Sequence, residues 1–191
     1  MIRALIFDCF GVLYRDNLSM LYDIVPHEKQ HDLQDIIHAT DHGFLSREEY
    51  YESVAELAGS SPADIREIEK RQHSRDETMI SYTQSFKPEY KIGLLSNIDT
   101  DSMDRLFPEP ERSQLFDTFI ISGEVGATKP AIQMFNIAAE RLQLQPEECL
   151  MIDDIPANLD GARAAGMQAI LFTSKRQLEN DLKIVLGSDN A

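Results

Sequence analysis

The chain predicts an α/β fold, a Rossmann-like parallel sheet of about five strands flanked by helices, with a small helical cap domain inserted after the first strand. Three observations carry this. From residue 91 onward, short apolar runs alternate with amphipathic stretches, the order of βα units and a parallel sheet. The runs are continuously apolar rather than alternating, as in strands buried on both faces. Between about residues 15 and 86 no strand-like run occurs, and a structureless loop of that length does not belong in a compact domain.

In chain order, ALIF (4–7) is the first strand, stopped at Asp8 and turned through Gly11. In the inserted segment, Ser46 and Glu49 form a capping box before EEYYESVAELA, which closes at Gly59. Ser61 and Pro62 then start a second helix through IREIEK. KIGLLS (91–96), TFIIS (118–122), CLMI (149–152) and QAILF (168–172) are the later strands. MDRLF (103–107), AIQMFNIAAERLQL (131–144) and ANLDGARAAG (157–166) are helices, the last with Gly166 at its C′ position. The expected division is a core of 1–14 and 87–191 and a cap of 15–86, with GSDNA a frayed tail.

Bulk properties narrow the function. At 191 residues and 42% hydrophobic content, the chain buries roughly two-thirds to three-quarters of its unfolded surface without disulfides or metals. Its 18 Lys and Arg against 33 Asp and Glu give a net charge of −15, a field that repels nucleic acid and anionic membranes. No apolar run reaches the ~18 residues of a membrane span, MIRALIFDCF lacks a signal-peptide pattern, and Cys9 and Cys149 have no metal-binding or redox spacing. A reduced, cytoplasmic protein is expected.

Ligands of an open parallel sheet bind beyond the carboxyl ends of its strands. Those ends carry Asp8, then Ser96 and Asn97, then GEVGATKP with Lys129, then Asp153 and Asp154. Three carboxylates in one cleft repel one another unless a cation is present, and hard oxygen ligands beside an anionic substrate point to Mg²⁺. Asp8 is then a nucleophile toward phosphorus. Ser96, Asn97 and Lys129 bind phosphoryl oxygens. Taken singly, each has a plainer reading: a turn or capping residue for Asp8, Ser96, Asn97 and the acidic pair, and a solvated lysine for Lys129.

FDCFGVLY (7–14), LLSN (94–97), SGEVGATKP (122–130) and IDDIPANLDGARAAGM (152–167) together resemble the haloacid dehalogenase-like hydrolases, most of them Mg²⁺-dependent phosphatases, and the subfamily with a small helical cap after the first motif. The resemblance implies that Asp8 is the covalent nucleophile and that Ser96 and Lys129 hold the phosphoryl group. It further implies that Asp154, with Asp153 beside it, binds Mg²⁺, and that Asn158 orients the acidic pair. Phe10 departs from the pattern. Most family phosphatases have there a second aspartate that protonates the leaving alcohol and activates water, although the metal takes only the backbone carbonyl of that position, which Phe10 retains. General acid–base help is worth about 10²- to 10⁴-fold.

Three readings follow: a Mg²⁺-dependent phosphomonoesterase acting on a small phosphorylated metabolite, a sugar phosphate among the options; a catalytically weak binding or regulatory protein, motivated by Phe10; and a metal-independent dehalogenase, which the acidic pair disfavours. All five histidines, His27, His31, His38, His42 and His73, lie in the inserted segment. The loop holding Asp41 and His42 is the first place to look for a replacement proton donor, although a solvated histidine is the plainer reading. Tyr50 and Tyr51 are read as packing residues, Asp16 and Asp23 as surface charges.

Overall fold

The computed structural model describes residues 1–15, 19–72 and 74–187. Its strands are β1 (Ala4–Phe7), β2 (Tyr14–Arg15), β3 (Ser74–Arg75), β4 (Lys91–Ser96), β5 (Thr118–Ile121), β6 (Cys149–Asp153) and β7 (Gln168–Leu171). Five of them form one sheet in the order β5-β4-β1-β6-β7, and every pairing in it is parallel. The chain runs from β1 outward through β4 and β5, then returns to the other side of β1 as β6. The topological switch point therefore lies between β1 and β6.

The continuous apolar runs are explained by burial on both faces. Leu5 and Phe7 of β1 belong to one hydrophobic cluster, Ala4 and Ile6 to another. The helices are α1 (Ser19–Ile24), α2 (Gln30–Asp41), α3 (Arg47–Ala58), α4 (Pro62–Gln72), α5 (Glu77–Ser85), α6 (Thr100–Leu106), α7 (Glu111–Leu115), α8 (Ser122–Val125), α9 (Ile132–Arg141), α10 (Pro156–Ala164) and α11 (Lys175–Leu186). Met134, Phe135 and Ala138 of α9 and Leu159 of α10 cover one face of the sheet. Met79 and Ile80 of α5, Met103 and Leu106 of α6, and Leu178 and Leu182 of α11 cover the other.

A third cluster stands apart from the sheet. Leu21, Val25, Leu33, Tyr50, Tyr51, Val54, Ala55 and Ile65 pack together from α1 to α4. The capping box of Ser46 and Glu49 is present, and α3 stops at Gly59 in the left-handed conformation. Both tyrosines are buried in this cluster.

Four expectations about the strands are corrected. The segment 15–86 does contain strand: β2 and β3 pair antiparallel, Tyr14 opposite Arg75, where the chain leaves the sheet domain and re-enters it. A two-residue ladder is too short to leave an apolar pattern. The strand expected at 118–122 ends at Ile121, because Ser122 opens the turn of α8, and the run at 149–152 continues through Asp153. The last strand stops at Leu171 rather than residue 172. Asp16, His73 and residues 188–191 of the expected tail lie outside the described residues, while Asp23 is exposed. Among the described residues no helix is long and apolar enough to cross a membrane.

Candidate active site

β1 delivers Asp8 to the switch point. The Asp8 amide still donates to the Ile152 carbonyl at 2.9 Å, which keeps the residue in register with β6 and brings it beside Asp153 at that strand's end. Asp8 is 5% exposed and Asp153 is fully buried. One oxygen each of Asp8, Asp153 and Asp154 lie within 4.8 Å of one another.

Lys129 enters this acidic group from the loop after α8. Its Nζ lies 2.8 Å from Asp8 Oδ1 and 2.6 Å from Asp153 Oδ2. Asn97, just past β4, holds the lysine's backbone from both sides: its Oδ1 accepts from the Lys129 amide at 2.7 Å, and its Nδ2 donates to the Lys129 carbonyl at 3.1 Å. Asn97 is thus committed to positioning the lysine loop, a role the sequence did not reveal. The loop is also pressed from below. A Cβ on Gly161 of α10 would meet the Pro130 carbonyl oxygen at 2.3 Å, so this helix approaches the lysine loop only because position 161 is glycine.

Asp153 and Asp154 differ in what surrounds them. Asp153 accepts from Lys129, from Asn158 Nδ2, which lies 3.0 Å from each of its carboxylate oxygens, and from the Ile155 amide at 2.9 Å. Its lone pairs are occupied by the protein, and Asn158 does orient it. Asp154 is exposed and reaches over Gly11. Gly11 has φ +81°, and a Cβ there would meet Asp154 Oδ2 at 2.1 Å. The turn after β1 therefore requires glycine twice, for its backbone and for the carboxylate above it.

Asp8 Oδ1 accepts from Lys129 and from the Cys9 amide at 2.6 Å. Burial pushes the Asp8 carboxyl up to about 7 against the pull of Lys129, and the neighbouring Asp153 carboxylate adds to the rise. For Lys129, burial opposes the ammonium, but the two carboxylates outweigh it and hold its pKa above the usual value. With all three carboxylates ionised, one ammonium leaves two negative charges uncompensated. That surplus and the all-oxygen donor set fit a divalent hard cation.

These groups open into a cavity of about 180 Å³ lined by Asp8, Phe10, Gly11, Asp41, Ser96, Asn97, Lys129, Asp154 and Ile155. The sequence-predicted residues meet there, except Asp153, which lies behind Asp8 and Lys129. Phe10 is a wall, its ring 6.4 Å from that of Tyr14 in an edge-to-face contact. From the inserted segment the cavity receives Asp41 and not His42. His42 Nδ1 bonds the His38 carbonyl at 2.8 Å, and its Nε2 bonds the Thr128 hydroxyl at 3.2 Å. Both ring nitrogens are thus engaged, tying the cap to the residue before Lys129. A larger cavity, about 520 Å³, opens at the opposite ends of the central strands. Its cations are committed, Arg3 to Glu148 at 3.0 Å, Lys87 to Asp117 at 3.7 Å and Lys91 to the Leu142 carbonyl at 2.6 Å, and among the described residues no carboxylate group of the kind at Asp8 accompanies it.

A second tie joins the inserted helices to the sheet side. The Arg47 guanidinium pairs with the buried Glu69 of α4 and reaches Asp99 at 3.4 Å, two residues past Asn97. Tyr51 donates to Glu69 at 2.6 Å, and Arg105 approaches the same carboxylate at 3.8 Å.

With this geometry in place, comparison with known proteins is decisive for the family. A model of the haloacid dehalogenase-like hydrolases matches residues 2–166. The chain belongs to that family. A drimenol cyclase of Aspergillus calidoustus is 26% identical over 200 residues, which cover 98% of this chain but 37% of the cyclase, so this hydrolase-family chain spans little more than a third of that relative. A phosphatase of Mycobacterium tuberculosis is 29% identical over 164 residues, covering 78% of this chain and 72% of that protein. Among solved structures, a HAD-family enzyme of Bacteroides thetaiotaomicron in complex with magnesium and inorganic phosphate matches with a TM-score of 0.79 at 19% identity, covering 92% of this chain and 96% of that one. At that identity the likeness concerns the fold.

Proposed function

We propose that this hydrolase-family chain is a Mg²⁺-dependent phosphomonoesterase acting on a small phosphorylated metabolite. The observation that carries the reading is the buried Asp8, Asp153 and Lys129 group, with Asp154 beside it, opening at the switch point into one small cavity. Phosphatases among the relatives, and the magnesium and phosphate bound in the Bacteroides enzyme, support it.

In this account Asp8 Oδ1 is held by Lys129 and the Cys9 amide, which aims the other oxygen, Oδ2, at phosphorus. Attack forms an aspartyl-phosphate as the bond from phosphorus to the leaving oxygen breaks. Water then attacks phosphorus and breaks its bond to Asp8 Oδ2; the proton that water loses to solvent balances the one the leaving oxygen gains, and phosphate departs with Asp8 restored. Lys129 and the Ser96 hydroxyl stabilise the phosphoryl oxygens, and Asn97 fixes the lysine. Asp8, Asp154 and the Phe10 backbone carbonyl, with Asp153 behind them, would hold a divalent cation, which would supply charge neutralisation for the phosphoryl group. Domains 1–14 and 87–191 carry the chemistry, and 15–86 covers it, with α5 leaning on the sheet.

Phe10 favours a second reading, a fold retained for binding, because phenylalanine neither gives nor takes a proton. Phosphate release from 4-nitrophenyl phosphate separates the two. Release in Mg²⁺ that stops with chelator is expected; no release under either condition supports the binding reading, and chloride release from 2-chloropropionate without metal supports a dehalogenase.

A further inference from the structure

The reach of the Lys129 ammonium is set by the loop that carries it. On the sheet side that loop is fixed by Asn97, which bonds the amide and the carbonyl of Lys129, and by α10, which closes on the Pro130 carbonyl at Gly161. The other flank of the lysine is Thr128. Its carbonyl accepts from the Ala131 amide at 2.9 Å, but its hydroxyl turns to the inserted helices and meets His42 Nε2 at 3.2 Å.

The direction of that bond follows from its neighbour. His42 Nδ1 lies 2.8 Å from the His38 carbonyl, an oxygen that only accepts, so in the neutral ring Nδ1 carries the hydrogen. Nε2 then offers a lone pair, and the Thr128 hydroxyl donates to it. The imidazole is also stacked on Phe44, with ring centroids 5.6 Å apart and the planes within 15°.

A second contact lies beside the first. A Cβ on Gly43 would stand 3.3 Å from the Gly123 carbonyl oxygen, and a Cβ on Gly123 would stand 2.9 Å from Asp99 Cα. Residues 42 and 43 are therefore seated at both ends of the stretch from Gly123 to Thr128 that leads into Lys129. His42 does not line the cavity, and its nitrogens serve His38 and Thr128, so its contribution is to geometry rather than to proton transfer. An ammonium that stabilises charge on phosphoryl oxygens acts through its placement, and that placement counts most in the transition state.

We propose that His42 is a positioning residue for Lys129: through the Thr128 hydroxyl it makes the placement of the phosphoryl-binding ammonium depend on the seating of the inserted helices. This rests on the phosphomonoesterase reading above. The inserted segment then serves turnover by a hydrogen bond, without lending a reactive group.

The test is steady-state hydrolysis of 4-nitrophenyl phosphate in saturating Mg²⁺, with thermal melts, for the native protein, His42→Phe, Thr128→Val, the two combined, and His42→Gln. Phenylalanine keeps the stack on Phe44, and valine keeps the shape of threonine, so each single variant removes one end of the bond. Each is expected to lower kcat ~10-fold, the rate equivalent of one net hydrogen bond, with KM within ~2-fold and the melting temperature nearly unchanged. The combined variant is expected to be no slower than the slower single one, because both remove the same contact. His42→Gln, which returns an acceptor at similar reach from the backbone, is expected to recover most of the loss. Losses that multiply in the combined variant, an unchanged kcat in Thr128→Val, a loss confined to KM or tracking a fall in melting temperature, or a glutamine no better than phenylalanine overturns the proposal while leaving the phosphatase reading intact. No turnover by the native protein overturns both.

Discussion

Asp153 and Asp154 are adjacent in sequence, yet their surroundings assign them different work. The three donors on Asp153 make it a buried anchor for Lys129 and α10, whereas Asp154 presents its carboxylate to the cavity over Gly11. Asp154→Asn is expected to raise the Mg²⁺ concentration for half-maximal activity at least ~10-fold with little change in melting temperature. Asp153→Asn is expected to destabilise by about 3–5 kcal/mol, the cost of breaking a buried pair and leaving Lys129 half-compensated. Metal titration and thermal melts of both variants check this. At the wall, Phe10 leaves position 10 without an acid, so a leaving group that needs no protonation is favoured. The native kcat/KM ratio of aryl to alkyl phosphates is expected to be large, and Phe10→Asp is expected to narrow it by ~10-fold or more. Assay of 4-nitrophenyl against glycerol phosphate in both proteins decides it; an unchanged ratio contradicts the account. Asp8, Lys129 and the acidic pair were legible because strand ends in a parallel sheet have few chemical uses. The commitment of Asn97 to the lysine backbone was not legible, since the contact spans 32 residues of sequence.

The strands of the sheet were readable from continuous apolar runs, and α3 from its capping box and terminal glycine, because each rule acts within a few residues. The helices α1, α2 and α5 left weaker marks. α2 follows a 3₁₀ turn with no side-chain cap at its start, and it buries Leu33 and Thr40 alone. At its end His42 ties it to Thr128, and Arg47 at the start of α3 makes a further long-range tie. The guanidinium bridges Glu69 of α4 to Asp99 at the start of α6, so it fixes the cap relative to the strand end bearing Ser96 and Asn97. Arg47→Met leaves Glu69 buried with, among the described residues, the more distant Arg105 as its countercharge. The expected result is a loss of about 3–5 kcal/mol and a raised KM. In Arg47→Met combined with Glu69→Leu, stability is expected to recover and KM to stay raised, because the buried charge is gone but the tie to Asp99 is still missing. Denaturation and steady-state kinetics of the two variants separate packing from cap placement; a KM restored along with stability would show that the tie to Asp99 does not govern access.

For the molecule as a whole, the net charge of −15 opposes an anionic substrate while drawing divalent cations to the surface. At saturating Mg²⁺, kcat/KM for a phosphate ester is therefore expected to rise several-fold between low salt and ~0.2 M, where the Debye length falls below ~10 Å. A fall over that range would mean that local positive charge outweighs the global field. The composition argued against nucleic acid but carried no information on the substrate. The claim on which all of this turns is covalent catalysis by Asp8. The direct measurement is acid quench during turnover of 4-nitrophenyl phosphate in Mg²⁺, borohydride reduction and peptide mass analysis. The account predicts homoserine at position 8, the reduction product of an acyl phosphate, only when substrate and metal are both present, and loss of turnover on the order of 10⁴-fold or more in Asp8→Asn. Turnover near the native rate in Asp8→Asn, with position 8 unlabelled in the native protein, would contradict it.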